Sequence, residues 1–153
     1  MLNADLPGNY FDCVYCDSVL EHILNPFEYL SEINRILKPG GIIYIGVPNE
    51  DYLLNDIREF VNILSGRKHI SAKLKPFVAP YHVGGFNKNS LKYAITKTSF
   101  KIEIFRNFAT RSIFFRVKFL SKEFFKTLLI SLIYLLSVPV RREYYLEVYA
   151  RKK

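Results

Sequence analysis

The chain has 153 residues, half of them hydrophobic and 24% charged, enough apolar material to bury a core without disulfides or metals and too much for extensive disorder. Its net charge of +8 is unevenly spread: residues 1–65 hold ten Asp/Glu and three Lys/Arg, and residues 66–153 hold four and nineteen. A basic half of that kind favours anionic partners such as phospholipid surfaces, nucleic acid or phosphorylated substrates. Met1 to Asp5 carries neither a basic n-region nor an apolar h-region, so no secretory signal is read and the cytosol is the expected compartment.

Pro7-Gly8-Asn9 reads as a turn, and Phe11 to Cys16 as a short buried strand. Cys13 and Cys16 have the C-x-x-C spacing, but within a strand residues three apart point to opposite faces, so the pattern predicts buried structural thiols and no redox pair or zinc half-site. Asn25-Pro26-Phe27-Glu28 places a cap residue, a proline at the first helical position and a Glu that completes a capping-box pattern. Phe27, Leu30, Ile33, Ile36 and Leu37 keep helical spacing, Arg35 and Lys38 suit the negative end of the dipole, and Pro39-Gly40-Gly41 stops the helix.

Ile42 to Val47 is almost wholly apolar, as a strand covered on both faces would be. Residues 52–65, with Leu53, Leu54, Ile57, Val61 and Leu64, read as a helix closed by Gly66-Arg67-Lys68. The next twenty residues, with Pro76, Pro80, Tyr81, His82, Gly84 and Gly85, have the composition of a substrate-contacting loop or lid. Asn87 or Asn89 can cap a helix carrying Leu91, Ala94 and Ile95. Phe100, Ile102 and Ile104 then alternate with Lys101 and Glu103 as a strand, and Glu143 to Ala150 alternates again as a terminal strand.

Between those strands, residues 111–138 are rich in Phe, Leu and Ile, with Arg111, Arg116, Lys118, Lys122 and Lys126 among them, and are expected to be helical. The longest uncharged run, Thr127 to Val140, is fourteen residues, short of the ~20 that span a bilayer. A packed core or partner-facing helix and an interfacial amphipathic helix both remain open. The sequence shows neither an internal repeat nor a Gly-rich phosphate loop.

The order of these elements, with the words F-D-x-V (Phe11–Val14), V-L-E-H (Val19–His22), L-K-P-G-G (Leu37–Gly41) and a strand ending in Pro48-Asn49, resembles the C-terminal half of a class I S-adenosylmethionine-dependent methyltransferase, and most closely the small-molecule group that includes the ubiquinone-pathway O-methyltransferases. The likeness covers roughly residues 5–105 and 143–151. It implies an α/β, Rossmann-like sheet with strands equivalent to the fourth, fifth, sixth and antiparallel seventh, flanking helices, a single methyltransferase-like domain over 1–153, and a basic hydrophobic insertion at 106–142. The family's Gly-rich loop and the acidic residue that grips the ribose have no counterpart in these residues. The resemblance places Ala4 and Asp5 in the loop bordering the adenine, and Cys16, Asp17 and Ser18 at the strand end lining the methionine part, Asp17 foremost. Ligands in open α/β sheets sit outside the carboxyl ends of the strands, which agrees.

Glu21 and His22 are adjacent and would point about 100° apart on a helix. Some ubiquinone-pathway relatives bind a divalent metal through E-x-x-E-H. Here the first acidic position is Ser18, so no metal is expected and His22 reads as a partly buried helix residue. His82 matches a family position on the acceptor side, where an imidazole can serve as base.

The resemblance implies methyl transfer from S-adenosylmethionine to a small-molecule or lipid-linked acceptor, by the C-terminal portion of an enzyme whose cofactor half lies outside the chain. The alternative is a non-catalytic remnant acting as an interaction module or on an anionic membrane surface. Further expectations are peripheral contact of 111–138 with the inner face of a membrane, self-association through an exposed fourth-strand edge, and no nucleic-acid partner, since the bases alternate with large aliphatics and not with exposed stacking aromatics.

Overall fold

Four strands form one sheet. Phe11–Asp17 (β1) runs parallel to Leu37–Pro48 (β2), and Tyr145–Lys152 (β4) lies antiparallel between β2 and Phe100–Phe108 (β3), giving the order β1-β2-β4-β3. That is the fourth, fifth, seventh and sixth arrangement the sequence implies. The structure, a computed structural model, describes residues 5–66, 82–108 and 118–153. Its helices are Pro26–Ile36 (α1), Leu53–Leu64 (α2), Lys88–Lys97 (α3) and Lys122–Ser137 (α4), with a single 3-10 turn at Leu20–His22.

The helix starts follow from their caps. Asn25 Oδ1 accepts from Glu28 N at 3.3 Å with Pro26 at the first position, and Asn87 Oδ1 accepts from Asn89 N and Ser90 N while the Ser90 hydroxyl accepts from Asn87 N. Asn87, and not Asn89, is therefore the cap. α1 ends at Ile36, earlier than expected: Leu37 is already extended, because the residue before Pro39 is disfavoured in the helical region and the chain must leave the helix ahead of it. Lys38 thus serves no helix terminus and instead pairs with Asp12 at 2.7 Å.

One sheet face holds the core. Ile43, Ile45, Val47, Leu146, Val148 and Ala150 are fully buried beneath Leu30 and Ile33 of α1 and Leu91 and Ile95 of α3, with Phe100 at the edge. The other face is not sealed, which corrects the reading of β2 as covered on both sides. Ile42 and Tyr44 are only half-buried, and a row of rings runs across this face: Tyr15 stacks on Tyr44 with centroids 4.6 Å apart, Tyr44 meets Tyr149 edge-on at 5.1 Å, and Arg106 sits over Tyr149 at 5.6 Å.

β3 departs from simple alternation. A bulge between Ile102 and Ile104 shifts the register against β4, so Ile104 faces solvent and Phe105 takes the place against the core. An extra residue in one strand reverses every side chain beyond it. At the opposite edge β1 pairs only with β2 among the described residues, and its exposed positions include Asp12, Cys13 and Tyr15.

α4 is capped by Ser121, whose hydroxyl accepts from Phe124 N at 3.1 Å; Tyr134 of α4 stacks on Tyr52 at the start of α2, and Arg142, after α4, pairs with Asp56 of α2. Of the span 111–138, residues 111–117 lie outside the described residues. β3 continues through Phe108, past the residue at which the insertion was placed.

Candidate functional site

The carboxyl ends of β1 and β2 meet the start of β4, and three side chains converge there. Asp17 ends β1 opposite Gly46 of β2, and Tyr145 opens β4 opposite Pro48. The Tyr145 hydroxyl donates to Asp17 Oδ1 at 2.6 Å and lies 2.7 Å from Ser18 Oγ. A phenol has one proton, so Ser18 is the donor in the second bond. Burial, then the hydrogen bond to the Asp17 carboxylate, pushes the Tyr145 pKa above its ordinary value, so the group is a neutral donor near neutral pH. Gly46 makes room for it: a Cβ there would overlap Asp17 Oδ1 and come within 2.9 Å of Tyr145 Cε1. Ser18, at φ 53°, turns the chain away from the sheet, its N–H still bonded to Gly46 O at 2.9 Å.

The turn delivers a second group. Glu21 is 2% exposed and its Oε2 has no hydrogen-bond partner among the described residues. Burial raises its carboxyl pKa, while the charges of His22 and His82 act the other way. The His22 and His82 rings meet edge-on with centroids 4.9 Å apart, and one ligand atom from each of Glu21, His22 and His82 lies within 4.8 Å of the other two. His82 is brought there by backbone: Val83 N and Gly84 N donate to Glu21 O, and Glu50 N donates to Phe86 O at 2.9 Å beside an Asn49–Phe86 bridge. Gly85 permits that approach, since a Cβ there would stand 2.6 to 2.8 Å from the Glu50 side chain. Asn49 itself is buried and structural, its amide donating to Glu143 O at 2.8 Å.

Comparison with known proteins fits this arrangement. A family profile described as "Methyltransferase domain" matches residues 1–45. The mitochondrial ubiquinone biosynthesis O-methyltransferase of Dictyostelium discoideum is 32% identical over 60 residues, covering 39% of this chain and 17% of that protein, and the ubiquinone biosynthesis O-methyltransferase of Dechloromonas aromatica is 36% identical over 50 residues, covering 33% and 21%. The crystal structure of an S-adenosylmethionine-dependent methyltransferase from Archaeoglobus fulgidus superposes with a TM-score of 0.58 at 20% identity, over 96% of this chain and 62% of that one. Residues 1–45 thus match a methyltransferase domain, and the fold is that of S-adenosylmethionine-dependent methyltransferases of known structure. The cofactor of that family is S-adenosylmethionine. The matched residues make up between 17% and 31% of the curated relatives' lengths.

In the methyltransferase frame, the residues singled out from sequence are only partly brought together. Asp17 and Ser18 share one hydrogen-bonded group. Cys16 lies directly behind it, buried, its thiol pushed up to about 12 by burial and by the Glu21 and Asp17 charges. Such a thiol is not a nucleophile. Cys13 is exposed, which corrects the expectation of two buried thiols: β1 is an edge strand with one uncovered face. Asp5 is exposed, at φ 44°, near Arg35, whose pKa is raised first by Glu32 and also by the Asp5 charge, and no described contact joins it to Asp17. Ala4 lies outside the described residues. The exposed Asp17 carboxylate has the charge that the cationic end of an amino-acid-like ligand requires. The sequence reading missed Tyr145, and the signal was Gly46, a glycine inside an apolar strand, which marks a close approach.

Proposed function

We propose that these residues form the acceptor-side part of a methyltransferase acting on a small-molecule or lipid-linked acceptor, with the main grip on S-adenosylmethionine supplied by segments outside the 153 residues. The observation that carries this is a pair of neighbouring groups at the carboxyl end of the parallel strands: the exposed Asp17 carboxylate held by Tyr145, and the His22–His82 imidazole pair beside buried Glu21, whose carboxyl feels the Asp17 charge. Asp17 and Ser18 would hold the methionine end of the cofactor, which when bound supplies a methyl group on a positively charged sulfur. His82 takes the proton from the acceptor hydroxyl as that oxygen attacks. His22 and the Glu21 carboxylate beside it stabilise the resulting imidazolium. Much of the rate then comes from alignment of the reacting atoms.

Two measurements on the 153-residue chain test this. Isothermal titration with the demethylated product, S-adenosylhomocysteine, is expected to show no micromolar binding, and micromolar binding would place the grip inside these residues after all. Amide chemical shifts recorded with the same ligand at millimolar concentration are expected to move at Asp17, Ser18 and Glu21. Shifts confined to other regions, or none, would remove the assignment of this wall.

The second reading, a non-catalytic module on an anionic membrane surface, is supported by the basic second half of the chain and by the exposed apolar side chains of α4. Both hold together if the acceptor is lipid-linked. The unpaired edge of β1 supports self-association as well. Sedimentation should show mass rising with concentration, and a strictly monomeric chain would count against it.

A further inference from the structure

α4 is apolar on the side it turns away from the protein. Its packed side is set by Ile133 and Ser137, both buried, and by Tyr134 against Tyr52. On the far side Phe125, Leu128, Leu129, Leu132, Leu135 and Leu136 follow each other at helical spacing, each between 48% and 69% exposed. They form one stripe with no polar or charged side chain in it, about 16 Å long at 1.5 Å per residue. Contiguous apolar surface of this kind marks a binding face.

The charges around the stripe choose the occupant. Lys118, Lys122 and Lys126 stand at its N-terminal end and Arg141 just beyond its C-terminal end, while the one acid in α4, Glu123, already lies 3.9 Å from Lys126. A symmetric second copy packed stripe to stripe would set these cations against their equivalents or against Arg141, with no acids to answer them. A transmembrane path is too long: sixteen residues reach about 24 Å, against a hydrocarbon core of about 30 Å, and no described helix is long and apolar enough to cross a membrane. What remains is a helix lying in the plane of an interface, with leucines and a phenylalanine among acyl chains and lysines among anionic headgroups.

We infer that α4 is an interfacial anchor for anionic phospholipid bilayers, seated through the Phe125–Leu136 stripe and drawn in by Lys118, Lys122 and Lys126. This deepens the membrane-surface reading proposed above and rests on it; it does not depend on the methyltransferase reading, because lipid binding and ligand-induced amide shifts are measured separately and either can fail alone.

The test is flotation of the full 153-residue chain with phosphatidylcholine vesicles, with and without phosphatidylserine. Binding is expected only with phosphatidylserine, and should fall steeply as salt is raised. Lys122→Gln with Lys126→Gln should weaken partition by about fivefold per lysine, and Leu129→Glu with Leu132→Glu should abolish it. Failure to float at low salt, equal binding to uncharged vesicles, or flotation untouched by the two glutamates each overturns the assignment. Should the glutamate variant misfold, Leu132→Trp decides, since the chain has no other tryptophan. Its emission should be that of an exposed indole in buffer, shift to the blue on anionic vesicles and be quenched by brominated lipid. An indole already blue-shifted without vesicles means that protein covers the stripe, and rules out the anchor.

Discussion

Replacing Gly46 with alanine tests the Asp17 arrangement directly. The new Cβ would overlap Asp17 Oδ1 and stand 2.9 Å from Tyr145 Cε1 and 3.0 Å from the Tyr44 hydroxyl. The carboxylate is the part free to yield, so it swings outward and gives up its 2.6 Å bond from Tyr145. A hydrogen bond to a charged group contributes about 1.5–3 kcal/mol, and exposure puts this one at the lower end. Alanine in place of a mid-strand glycine returns about 0.5–1 kcal/mol. The balance is a loss of about 1 kcal/mol, or a fall of about 2–4 °C in melting temperature for a chain of this size. Urea and thermal melts followed by circular dichroism measure the loss. An ultraviolet titration measures its cause: without Asp17 as acceptor, Tyr145 keeps the rise due to burial and loses the rise due to that bond, so one tyrosine should ionise at lower pH. A Gly46→Ala protein as stable as the parent, with an unchanged tyrosine titration, would refute the argument.

Three further outcomes are expected. Burial raises the folded pKa of Glu21, so its contribution to stability is fully present below the ordinary carboxylate pKa and is lost as pH rises through the folded value. Glu21→Gln should therefore gain stability relative to the parent between pH 4 and pH 7, and a difference that shrinks over that range contradicts the burial. Alkylation at pH 8 should modify Cys13 rapidly and Cys16 only on unfolding, because a thiol pushed up to about 12 holds little thiolate. Equal rates at the two would show Cys16 to be accessible. With Ser18 where a second carboxylate ligand would stand, zinc titration of the Glu21, His22 and His82 group should give binding weaker than the ~10 kcal/mol of a structural site. Binding at or above that strength, lost in His82→Ala, would make the group a metal centre.

The caps and the strands could be read from the sequence because both depend on local chemistry: Asn25-Pro26 and the Asn87/Asn89 pair announce helix starts, and runs such as Ile42 to Val47 announce strands, whereas the order of the strands in the sheet follows only from the family resemblance. What could not be read depends on register and on contacts far apart in the chain. Tyr145 looks like an outward residue of a terminal strand, and only the pairing of Pro48 with Tyr145 brings its hydroxyl to Asp17, 128 residues away. His22 and His82 meet because a loop is tied to Glu21 and Glu50 by backbone bonds, which no side-chain pattern encodes. The β3 bulge is equally silent, since Ile104 and Phe105 are both apolar and either could have faced inward.

The ring row on the open face of the sheet provides an optical handle. The Tyr15 and Tyr44 planes lie within 5° of parallel, and the chain has no tryptophan to mask them, so their coupled transitions should contribute to the near-ultraviolet dichroism. A slip of β1 by one residue against β2 would send Tyr15 to the opposite face and dissolve the stack. The difference between the spectra of the chain and its Tyr15→Phe variant therefore reports on the in-register docking of the strand that carries Asp17, before any ligand is added.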